Sequence, residues 1–244
     1  MKIAAIIPAR YESTRLPGKV LLEIQGKSIL QRVYEQVKKV DAVDLVKVAT
    51  DTDKIANHCR EKDMQYIMTS SAHQSGTDRV AEAANSLDAD IIINVQGDEP
   101  FIEPSAINSL VELMRQDNVH IGTLCKKIVD ENRIFDYNTV KLVMDKHAKV
   151  LYFSRQAIPA IRDKAYSEWI TQRPYFQHLG IYGFRKDTLL NITQLNMSEL
   201  ERTEKLEQLR WLENGYSVHC RVVQSDSFGI DTEEDLKSAR AIYK

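Results

Sequence analysis

Short apolar runs alternate with amphipathic stretches along the first part of the chain. Four runs predict buried strands: Lys2–Ile7, Leu45–Thr50, Tyr66–Met68 and Ile91–Val95. Helices are predicted between them at Ile29–Val40, from about Asp51, and at Asp78–Ser86. The first of these helices has apolar residues at four-residue spacing, as an amphipathic helix requires. A strand and helix order of this kind predicts an α/β fold with a doubly wound sheet.

The second half of the chain is richer in strand patterns. Strands are predicted at His120–Ile128, Val140–Met144, Lys149–Phe153, His178–Phe184 and Ser217–Val223. Helices are predicted over Leu200–Asn214, where Gly215 supplies a C-terminal cap, and over Thr232–Ala241, where Thr232 and Asp235 form a capping box. Ala160–Pro174 has no periodicity and is interpreted as a loop or arm. Because no linker composition occurs, we expect one domain over residues 1–244 with an elaborated middle.

Composition limits the class of protein. The chain has 244 residues, of which 43% are hydrophobic and 28% charged, and a net charge of −2. These values are typical of a globular protein and give no reason to expect a nucleic acid or an anionic membrane as partner. The apolar start ends at Pro8 without a cleavage site, and no run approaches the length of a membrane span. Three widely spaced cysteines outside any Cys-x-x-Cys pattern indicate reduced thiols, so we expect a cytoplasmic protein.

A basic loop, Pro8–Lys19, follows the first strand and contains Arg10, Arg15 and Lys19. Ligands of open α/β sheets bind at the carboxyl ends of strands. Guanidinium and ammonium groups at such an end suit a polyphosphate. The loop lacks the glycine spacing of a Walker A or dinucleotide-binding motif, so side-chain charge would have to hold the anion. The alternative is an exposed basic loop without a ligand.

Two aspartates are candidate metal ligands near this loop. Asp98 follows the apolar run Ile91–Val95 and is expected at the same sheet edge as the basic loop. A carboxylate opposite a phosphate site is favourable when a cation lies between them, and Mg²⁺ prefers carboxylate and phosphate oxygens. The second candidate, Asp231, follows a glycine at a helix start. The alternatives are a turn aspartate at Asp98 and a helix cap at Asp231.

Other polar motifs leave alternatives open. Asp51-Thr52-Asp53 has the Asp-x-Asp form of metal-dependent glycosyltransferases, although helix initiation is the better explanation of Asp51 and Asp53. The Gln74–Arg79 segment joins a strand to a helix through small hydroxyl residues and a glycine. This segment fits a nucleobase or ribose, or else it caps the helix.

The strand His178–Phe184 and the helix Leu200–Asn214 contain further candidates. His178, Gly180 and Tyr182 alternate along the strand and are expected on one face. His178 would bind a carboxylate or be a satisfied structural histidine. Glu207 lies opposite an apolar helix stripe, so periodicity predicts a solvent-exposed residue paired with Arg210.

Taken together, these segments resemble the family of cytidylyltransferases that activate 3-deoxy-D-manno-octulosonate (Kdo), the CMP-Kdo synthetases. The resemblance extends from Ile6 to Leu236 and departs mainly in Ala160–Pro174 and Asn191–Glu199. The matching stretches are IIPARYESTRLPGK, VATD, HQSGTDR, INVQGDEP, VKLVMD, LYFSR, HLGIYGFR, LEQLRWLENG and FGIDTEEDL.

The resemblance implies a Rossmann-like three-layer α/β/α fold of the nucleotide-diphospho-sugar transferase type. It also implies a homodimer, with mixed strands at about residues 130–185 forming the dimer contact and part of the sugar site. Implied nucleotide-binding residues are Ala9, Arg10, Arg15, Lys19, Ser75, Gly76 and Asp98. Implied sugar-binding residues are Gln96, Arg155, His178, Tyr182, Glu207 and Gln208. Asp98 and Asp231 would hold Mg²⁺, and the implied catalytic set is Arg10, Lys19, Asp98 and Asp231.

The implied reaction is CMP transfer from CTP to the anomeric hydroxyl of Kdo, with release of pyrophosphate, for lipopolysaccharide biosynthesis. Within the same class, 8-amino-Kdo, a sialic acid or another 3-deoxy sugar acid are alternative acceptors. A metal-dependent glycosyltransferase that uses Asp51-Thr52-Asp53 is a more remote alternative, as is a catalytically silent nucleotide-binding subunit.

Overall fold

A computed structural model describes residues 1–12, 16–225 and 227–242, and a mixed β-sheet runs through it. Its strands, together with the two strands of a small hairpin, are β1 Ile3–Pro8, β2 Glu23–Ile24, β3 Lys27–Ser28, β4 Leu45–Thr50, β5 Tyr66–Met68, β6 Ile91–Asn94, β7 Ile121–Lys127, β8 Lys141–Met144, β9 Val150–Ser154, β10 Phe176–Arg185 and β11 Val218–Val222. The predicted strands are therefore all present, with ends shifted by at most two residues.

The helices cover both faces of this sheet. They are α1 Ile29–Lys38, α2 Asp53–Glu61, α3 Gly76–Asn85, α4 Pro104–Met114, α5 Asn132–Phe135, α6 Trp169–Gln172, α7 Lys186–Ile192, α8 Glu199–Glu204, α9 Gln208–Glu213 and α10 Glu233–Ile242. Two 3₁₀ turns occupy Lys19–Leu21 and Tyr166–Glu168. Helices α4 and α7 were not predicted from the sequence.

The sheet has the strand order β11-β7-β10-β6-β1-β4-β5. Strands β6, β1, β4 and β5 are mutually parallel, β11 is parallel to β7, and β10 runs antiparallel to both of its neighbours. The hairpin of β8 and β9 extends the sheet through an antiparallel contact between β8 and β10. The predicted mixed character of the middle of the chain is confirmed.

Two apolar cores separate the sheet from its helices. One core contains buried side chains of α1, α2 and α4, and the other contains side chains of α3, α7 and α9. In α1, Val33 and Val37 are fully buried, and the Ser28 hydroxyl caps the helix by accepting from the amide of Gln31 at 3.0 Å. The three-layer α/β/α arrangement is therefore confirmed.

The chain leaves the two central strands β1 and β6 in opposite directions along the sheet. From β1 it proceeds to β4 and β5, and it returns to β6 on the other side of β1. Such a change of direction opens a crevice at the carboxyl ends of the two strands, where ligands of doubly wound sheets bind. The Pro8–Lys19 loop follows β1 at this point, and Gln96–Asp98 follows β6.

Gly97 lets the backbones after β1 and β6 approach closely. A Cβ atom at position 97 would lie 2.8 Å from the carbonyl oxygen of Pro8. The glycine is therefore required by a backbone contact. This contact brings the two loops of the crevice together.

The predicted helix Leu200–Asn214 is wrong as a continuous element. The chain breaks between α8 and α9, where Lys205 adopts a left-handed conformation with φ of 54°. Arg210 binds both carboxylate oxygens of Glu201 across this break, at 2.7 and 2.8 Å. Residues nine positions apart lie about 13 Å apart along a continuous helix, so this buried ion pair requires the break. The predicted C-terminal cap is present, because Gly215 has φ of 82° after α9.

The predicted irregular arm Ala160–Pro174 is partly ordered into regular structure. It contains the 3₁₀ turn Tyr166–Glu168 and α6, whose Trp169 is 5% exposed. Trp169 stacks on the Tyr175 ring at 6.1 Å. Aromatic burial, which periodicity does not reveal in so short a segment, holds the arm against the domain.

Among the described residues, no helix combines the length and the apolar character needed to cross a bilayer.

Substitution of Gly97 tests the close approach of the two loops. We expect Gly97→Ala to lower the free energy of unfolding by about 1–3 kcal/mol, because the new methyl group would collide with backbone that cannot rotate away. The urea midpoint followed by circular dichroism measures this change. Gly229→Ala is a matched control, because its Cβ would lie 3.8 Å from Glu99 Cγ, an ordinary contact. Equal midpoints for both variants would contradict the packing argument.

Candidate functional site

A polar cleft lies at the carboxyl ends of β1 and β6. Its lining consists of Pro8–Arg10, Lys19, Val20, His73–Gly76, Arg79 and Gln96–Asp98. The structure thus brings together most of the residues predicted to bind a nucleotide. Arg10 is exposed at this cleft and Ala9 is buried beside it. Arg15, which was predicted to bind the triphosphate, lies outside the described residues.

The centre of the cleft is an ion cluster of Lys19, Asp98 and Asp231. The Lys19 ammonium donates to Asp98 Oδ2 at 2.5 Å and to Asp231 Oδ1 at 2.6 Å. Burial alone would lower the pKa of Lys19, but the two carboxylates outweigh burial and raise it. Lys19 therefore remains a cation.

The segment before α10 delivers Asp231 to this cluster. The Ile230 amide donates to the Asp98 carbonyl oxygen at 2.9 Å, and the Ile230 side chain is fully buried. The alternative role of Asp231 as the helix cap is not supported, because Thr232 caps α10. Thr232 and Asp235 form the predicted capping box, with the Asp235 amide donating to Thr232 Oγ1 at 3.2 Å and the Thr232 amide donating to Asp235 Oδ2 at 2.8 Å. The Asp231 carboxylate is consequently directed to Lys19.

The two aspartates fit a divalent metal ion. Because both oxygens contact the same Lys19 nitrogen, at 2.5 and 2.6 Å, they are at most about 5.1 Å apart. An octahedral Mg²⁺ needs ligand oxygens about 2.9 Å apart when adjacent and about 4.1 Å apart when opposite. A small inward movement of either carboxylate meets this requirement. The donor set of hard carboxylate oxygens also suits Mg²⁺.

Glu99, the residue after Asp98, adds a third carboxyl group beside this cluster. Its Oε2 accepts a hydrogen bond from the Ser227 hydroxyl at 3.4 Å. Part of the side chain is open to solvent, yet burial of the carboxyl and then the neighbouring Asp98 charge raise the pKa of Glu99 to about 7. Sequence reasoning missed this residue, although it directly follows Asp98.

The start of α3 forms one wall of the cleft. The Ser75 hydroxyl accepts from the Asp78 amide at 3.1 Å, so Ser75 caps the helix that sequence reasoning started at Asp78. The same hydroxyl donates to Glu207 Oε1 at 3.2 Å. Gly76 lies against Pro8, since a Cβ there would be 3.5 Å from the proline ring. Helix capping and cleft formation, which were alternatives in the sequence, occur together here.

Glu207 is held beside this wall and is not a solvent residue. Its Oε2 accepts from the Thr77 hydroxyl at 2.6 Å, and Arg210 lies 3.9 Å from Oε1. Burial raises the pKa of Glu207 and outweighs both the Thr77 hydrogen bond and the Arg210 charge. The periodicity argument failed because the helix breaks at Lys205, which places Glu207 at the start of α9. Gln208, the first residue of α9, is also buried.

His178 and Tyr182 lie together on β10. Their ring centroids are 5.2 Å apart, although a bulge interrupts the expected regular alternation between Leu179 and Tyr182. Gln96 reaches this strand, because a Cβ at Gly180 would lie 3.9 Å from Gln96 Cγ. The cleft around Asp98 therefore continues towards β10.

The Thr123 hydroxyl fixes the tautomer of His178. It donates to the Ile181 carbonyl oxygen at 2.8 Å, which satisfies the bulge, and it lies 3.0 Å from His178 Nε2. Since the hydroxyl has one proton, Nε2 must be the donor and Nδ1 an acceptor. Burial lowers the pKa of His178 to about 3, so the ring is neutral. As a neutral acceptor, Nδ1 can accept from a hydroxyl group, and the choice for His178 between a carboxylate partner and a structural role stays a prediction.

The Tyr182 hydroxyl is buried and has no hydrogen-bond partner among the described residues. The edge of the ring contacts Trp211 at 5.1 Å. Burial, together with the Glu207 carboxylate, raises the pKa of Tyr182 well above its usual value, so the hydroxyl stays protonated. Because buried hydroxyl groups are normally paired, the Tyr182 hydroxyl is available to hydrogen-bond a bound molecule.

Arg155 is placed differently from the other candidates. Its guanidinium donates to the carbonyl oxygens of Glu204 at 2.7 Å and Tyr137 at 3.0 Å. It therefore lies at the end of α8 rather than in the lining of the cleft around Asp98. These contacts hold the side chain beside the break between α8 and α9.

Two cleft residues that sequence reasoning did not single out are Arg79 and His73. Arg79 is 4% exposed and donates to Asp51 Oδ2 at 2.8 Å. The Asp51 carboxylate is therefore engaged by Arg79. Asp53 is the first residue of α2, which Thr52 caps. The two carboxylates of the Asp-x-Asp triplet thus have separate structural roles and do not form a metal site. His73 contacts Glu82 of α3, whose carboxylate also accepts from the Ser70 amide at 2.9 Å. Both residues fasten the loop before Ser75.

Comparison with known proteins agrees with this geometry. The family model described as cytidylyltransferase matches residues 4–224. The 3-deoxy-manno-octulosonate cytidylyltransferase of Parabacteroides distasonis is 46% identical over 99% of this chain and 98% of that protein. The protein of the same name from Cytophaga hutchinsonii is 47% identical, over 97% of this chain and 95% of its own.

Solved structures give the same result. A CMP:2-keto-3-deoxy-manno-octonic acid synthetase complexed with CTP has a TM-score of 0.94 and 40% identity, over 100% of this chain and 98% of that chain. A 4-diphosphocytidyl-2C-methyl-D-erythritol synthase from Anaerococcus prevotii has a TM-score of 0.64 at 18% identity, over 99% of this chain and 96% of that chain. The second similarity concerns the fold alone.

The protonation state of His178 can be measured directly. We expect its ring to stay neutral between about pH 5 and pH 9, because the native pKa is about 3. An unfolded histidine binds a proton below about pH 6.5, so this residue contributes stability at neutral pH that declines as the pH falls below that value. Ring ¹⁵N chemical shifts, assigned with His178→Gln, report the state. A midpoint near pH 6.5 in the native protein would contradict the burial argument, and urea-unfolded protein supplies the reference titration.

Proposed function

We propose, since the chain belongs to the family of 3-deoxy-manno-octulosonate cytidylyltransferases, that it transfers CMP from CTP to the anomeric hydroxyl of Kdo and releases pyrophosphate. The observation that carries this proposal is the convergence of Asp98, Asp231 and Lys19 at the end of the basic loop. Two carboxylates and a cation at a sheet crevice suit a metal-dependent reaction of a nucleoside triphosphate. The product would serve lipopolysaccharide biosynthesis.

We place CTP in the cleft between β1 and the start of α3. Ala9, Ser75 and Gly76 would contact the cytidine, and Arg10, Arg15 and Lys19 would bind the triphosphate. This assignment is supported by the exposure of Arg10 at the cleft and by the close packing of Gly76 on Pro8. The CMP:2-keto-3-deoxy-manno-octonic acid synthetase complexed with CTP, at 40% identity, supports the same nucleotide.

We place the sugar acid between Gln96 and β10. Tyr182 would donate its unpaired hydroxyl, and His178 would accept a sugar hydroxyl through Nδ1. Glu207 and Gln208 would line the side of the sugar site that adjoins α9. Arg155 would attract the sugar carboxylate. The contacts of Arg155 with carbonyl oxygens support a role in ordering α8 and α9 as well.

The reaction forms a bond between the anomeric oxygen and the α-phosphorus and breaks the bond from the α-phosphorus to the pyrophosphate oxygen. The hydroxyl proton passes to solvent water as the new bond forms. Mg²⁺ held by Asp98 and Asp231 would supply positive charge that favours the ionised hydroxyl and neutralises the phosphates. Arg10, Arg15 and Lys19 would stabilise the charge on the leaving pyrophosphate, and the residues of the cleft would hold the two substrates in line.

We also propose one domain over residues 1–244 that forms a homodimer through about residues 130–185. An aromatic cluster in this part of the chain supports the interface: Phe135 and Tyr166 are 37% and 68% exposed, and their rings lie 5.2 Å apart. Exposed aromatic patches of this kind are typical of protein interfaces.

Because the proposed nucleotide substrate, CTP, is an intracellular metabolite, we assign the enzyme to the cytoplasm.

Pyrophosphate release tests the function. We expect release from CTP and Mg²⁺ that depends on added Kdo, and we expect Asp231→Asn to lower turnover about a hundredfold or more because a charged metal ligand is lost. Asp88→Asn removes an exposed carboxylate that pairs with Lys2, away from the cleft, and should leave turnover unchanged.

Two outcomes would count against these assignments. Pyrophosphate release that does not respond to Kdo would exclude the proposed acceptor, and parallel assays with 8-amino-Kdo would show whether that sugar is preferred. Near-normal turnover of Asp231→Asn at saturating Mg²⁺ would exclude the metal-ligand role of Asp231.

The homodimer can be tested by light scattering after gel filtration. We expect a mass about twice the 28.0 kDa of the chain, and a monomer for Tyr166→Lys because the charge would be buried in the interface. Met68→Lys is a matched control: Met68 is 46% exposed on β5, at the opposite edge of the sheet. A dimer that persists in Tyr166→Lys and dissociates in Met68→Lys would place the interface elsewhere.

A further inference from the structure

Lys19 stands where the metal ion of the proposed reaction would bind. Its ammonium contacts one oxygen of Asp98 and one of Asp231, at 2.5 and 2.6 Å. These are the same two carboxylates that fit Mg²⁺. The Lys19 side chain is 13% exposed, so the ammonium is largely enclosed between them.

We infer that Lys19 is the counter-ion of the metal site in the substrate-free enzyme, and that a divalent metal ion and the Lys19 ammonium exclude each other between Asp98 and Asp231. The inference rests on the proposed function, because it takes Asp98 and Asp231 as the metal ligands. It assigns Lys19 a second role in addition to phosphate binding: it occupies the site until metal and nucleotide arrive.

Electrostatics makes the two cations alternatives. Two carboxylates this close repel each other, and a single positive charge between them removes much of that repulsion. A metal ion at ligand distance from both oxygens would lie within about 4 Å of the present Lys19 nitrogen, where two positive charges repel strongly. The metal must therefore displace the ammonium to bind.

The backbone around Lys19 is fixed, so displacement requires only movement of its side chain. The Gly18 amide donates to the Tyr11 carbonyl oxygen at 2.9 Å, and Gly18 has φ of 67° with the Tyr11 ring packed against it. Lys19 then begins the 3₁₀ turn, in which Val20 is buried. A flexible four-carbon side chain on this rigid turn can exchange one anion for another.

Triphosphate and metal would consequently bind together. A metal ion alone would have to release Lys19 without offering it a new partner. A metal–CTP complex brings phosphate oxygens to which the released ammonium can transfer its hydrogen bonds. The site should thus bind free metal weakly and the nucleotide complex much more strongly, which is positive coupling between two ligands.

Mn²⁺ binding without any nucleotide tests this inference. Free Mn²⁺ is counted by electron paramagnetic resonance at pH 8 with wild type, Lys19→Met and Arg10→Met. We expect Lys19→Met to bind Mn²⁺ at least about fivefold more tightly than wild type, because the competing cation is gone. Arg10→Met makes the same change of charge at an exposed residue of the cleft and should change affinity much less. Equal or weaker binding by Lys19→Met, or an equal gain in Arg10→Met, would overturn the inference.

A measurement on the wild-type protein covers the case in which Lys19→Met does not fold. Acetylation of individual lysines by a water-soluble ester, followed by mass spectrometry, reports how available each ammonium is. We expect saturating Mg²⁺ to increase acetylation of Lys19 several-fold, because the ammonium leaves its enclosed position between the two carboxylates and becomes accessible to the ester. Lys27, paired with Glu35 at 2.7 Å on the surface, controls for salt screening. No increase at Lys19, or an equal increase at Lys27, would overturn the inference.

These experiments are separate from the test of the proposed function. They need neither CTP nor Kdo, so they can fail while wild-type protein still releases pyrophosphate in response to Kdo. Conversely, an absence of that release would reject the proposed reaction even if Lys19 and Mn²⁺ compete as expected.

Discussion

Two carboxylates that meet at one point need a cation between them, and the cleft is organised around this requirement. The loop after β6 supplies Asp98, the segment before α10 supplies Asp231, and the turn after the basic loop supplies Lys19. The bond between Ile230 and the Asp98 backbone holds the two acidic segments together even though their charges repel. The apolar burial of Ile230 therefore stabilises an arrangement that electrostatics alone would oppose.

A second set of contacts joins the two ends of the cleft. Ser75 caps α3 and binds Glu207, so the proposed nucleotide wall and the proposed sugar wall share a hydrogen bond. Thr123 of β7 satisfies a carbonyl of the β10 bulge and orients His178 at the same time. In both places one hydroxyl group serves the fold and the site together. Such a group is difficult to replace, because a substitution would disturb both.

Much of the fold follows from local patterns, and the exceptions have identifiable causes. Buried parallel strands such as Ile91–Asn94 are continuous apolar runs, so they are visible in the sequence. The break at Lys205 is not, because the residue has no intrinsic preference for a left-handed conformation. The contact that makes the break favourable joins Arg210 to Glu201, which are too far apart on one helix to be considered neighbours. The position of Glu207 could not be predicted without it.

The site, too, has features that follow from sequence patterns and features that depend on distant contacts. The proximity of Asp98 to the basic loop follows from sheet topology, whereas the engagement of Lys19 by both aspartates depends on a contact across 212 positions of the chain. That separation has a consequence for biosynthesis. A ribosome completes the loop, Asp98 and most of the sheet well before Asp231 emerges, since domains are made from the N-terminus at about 5–20 residues per second. The nascent protein thus has its basic loop early and acquires its paired carboxylates only after the last strand of the sheet, β11, has been made.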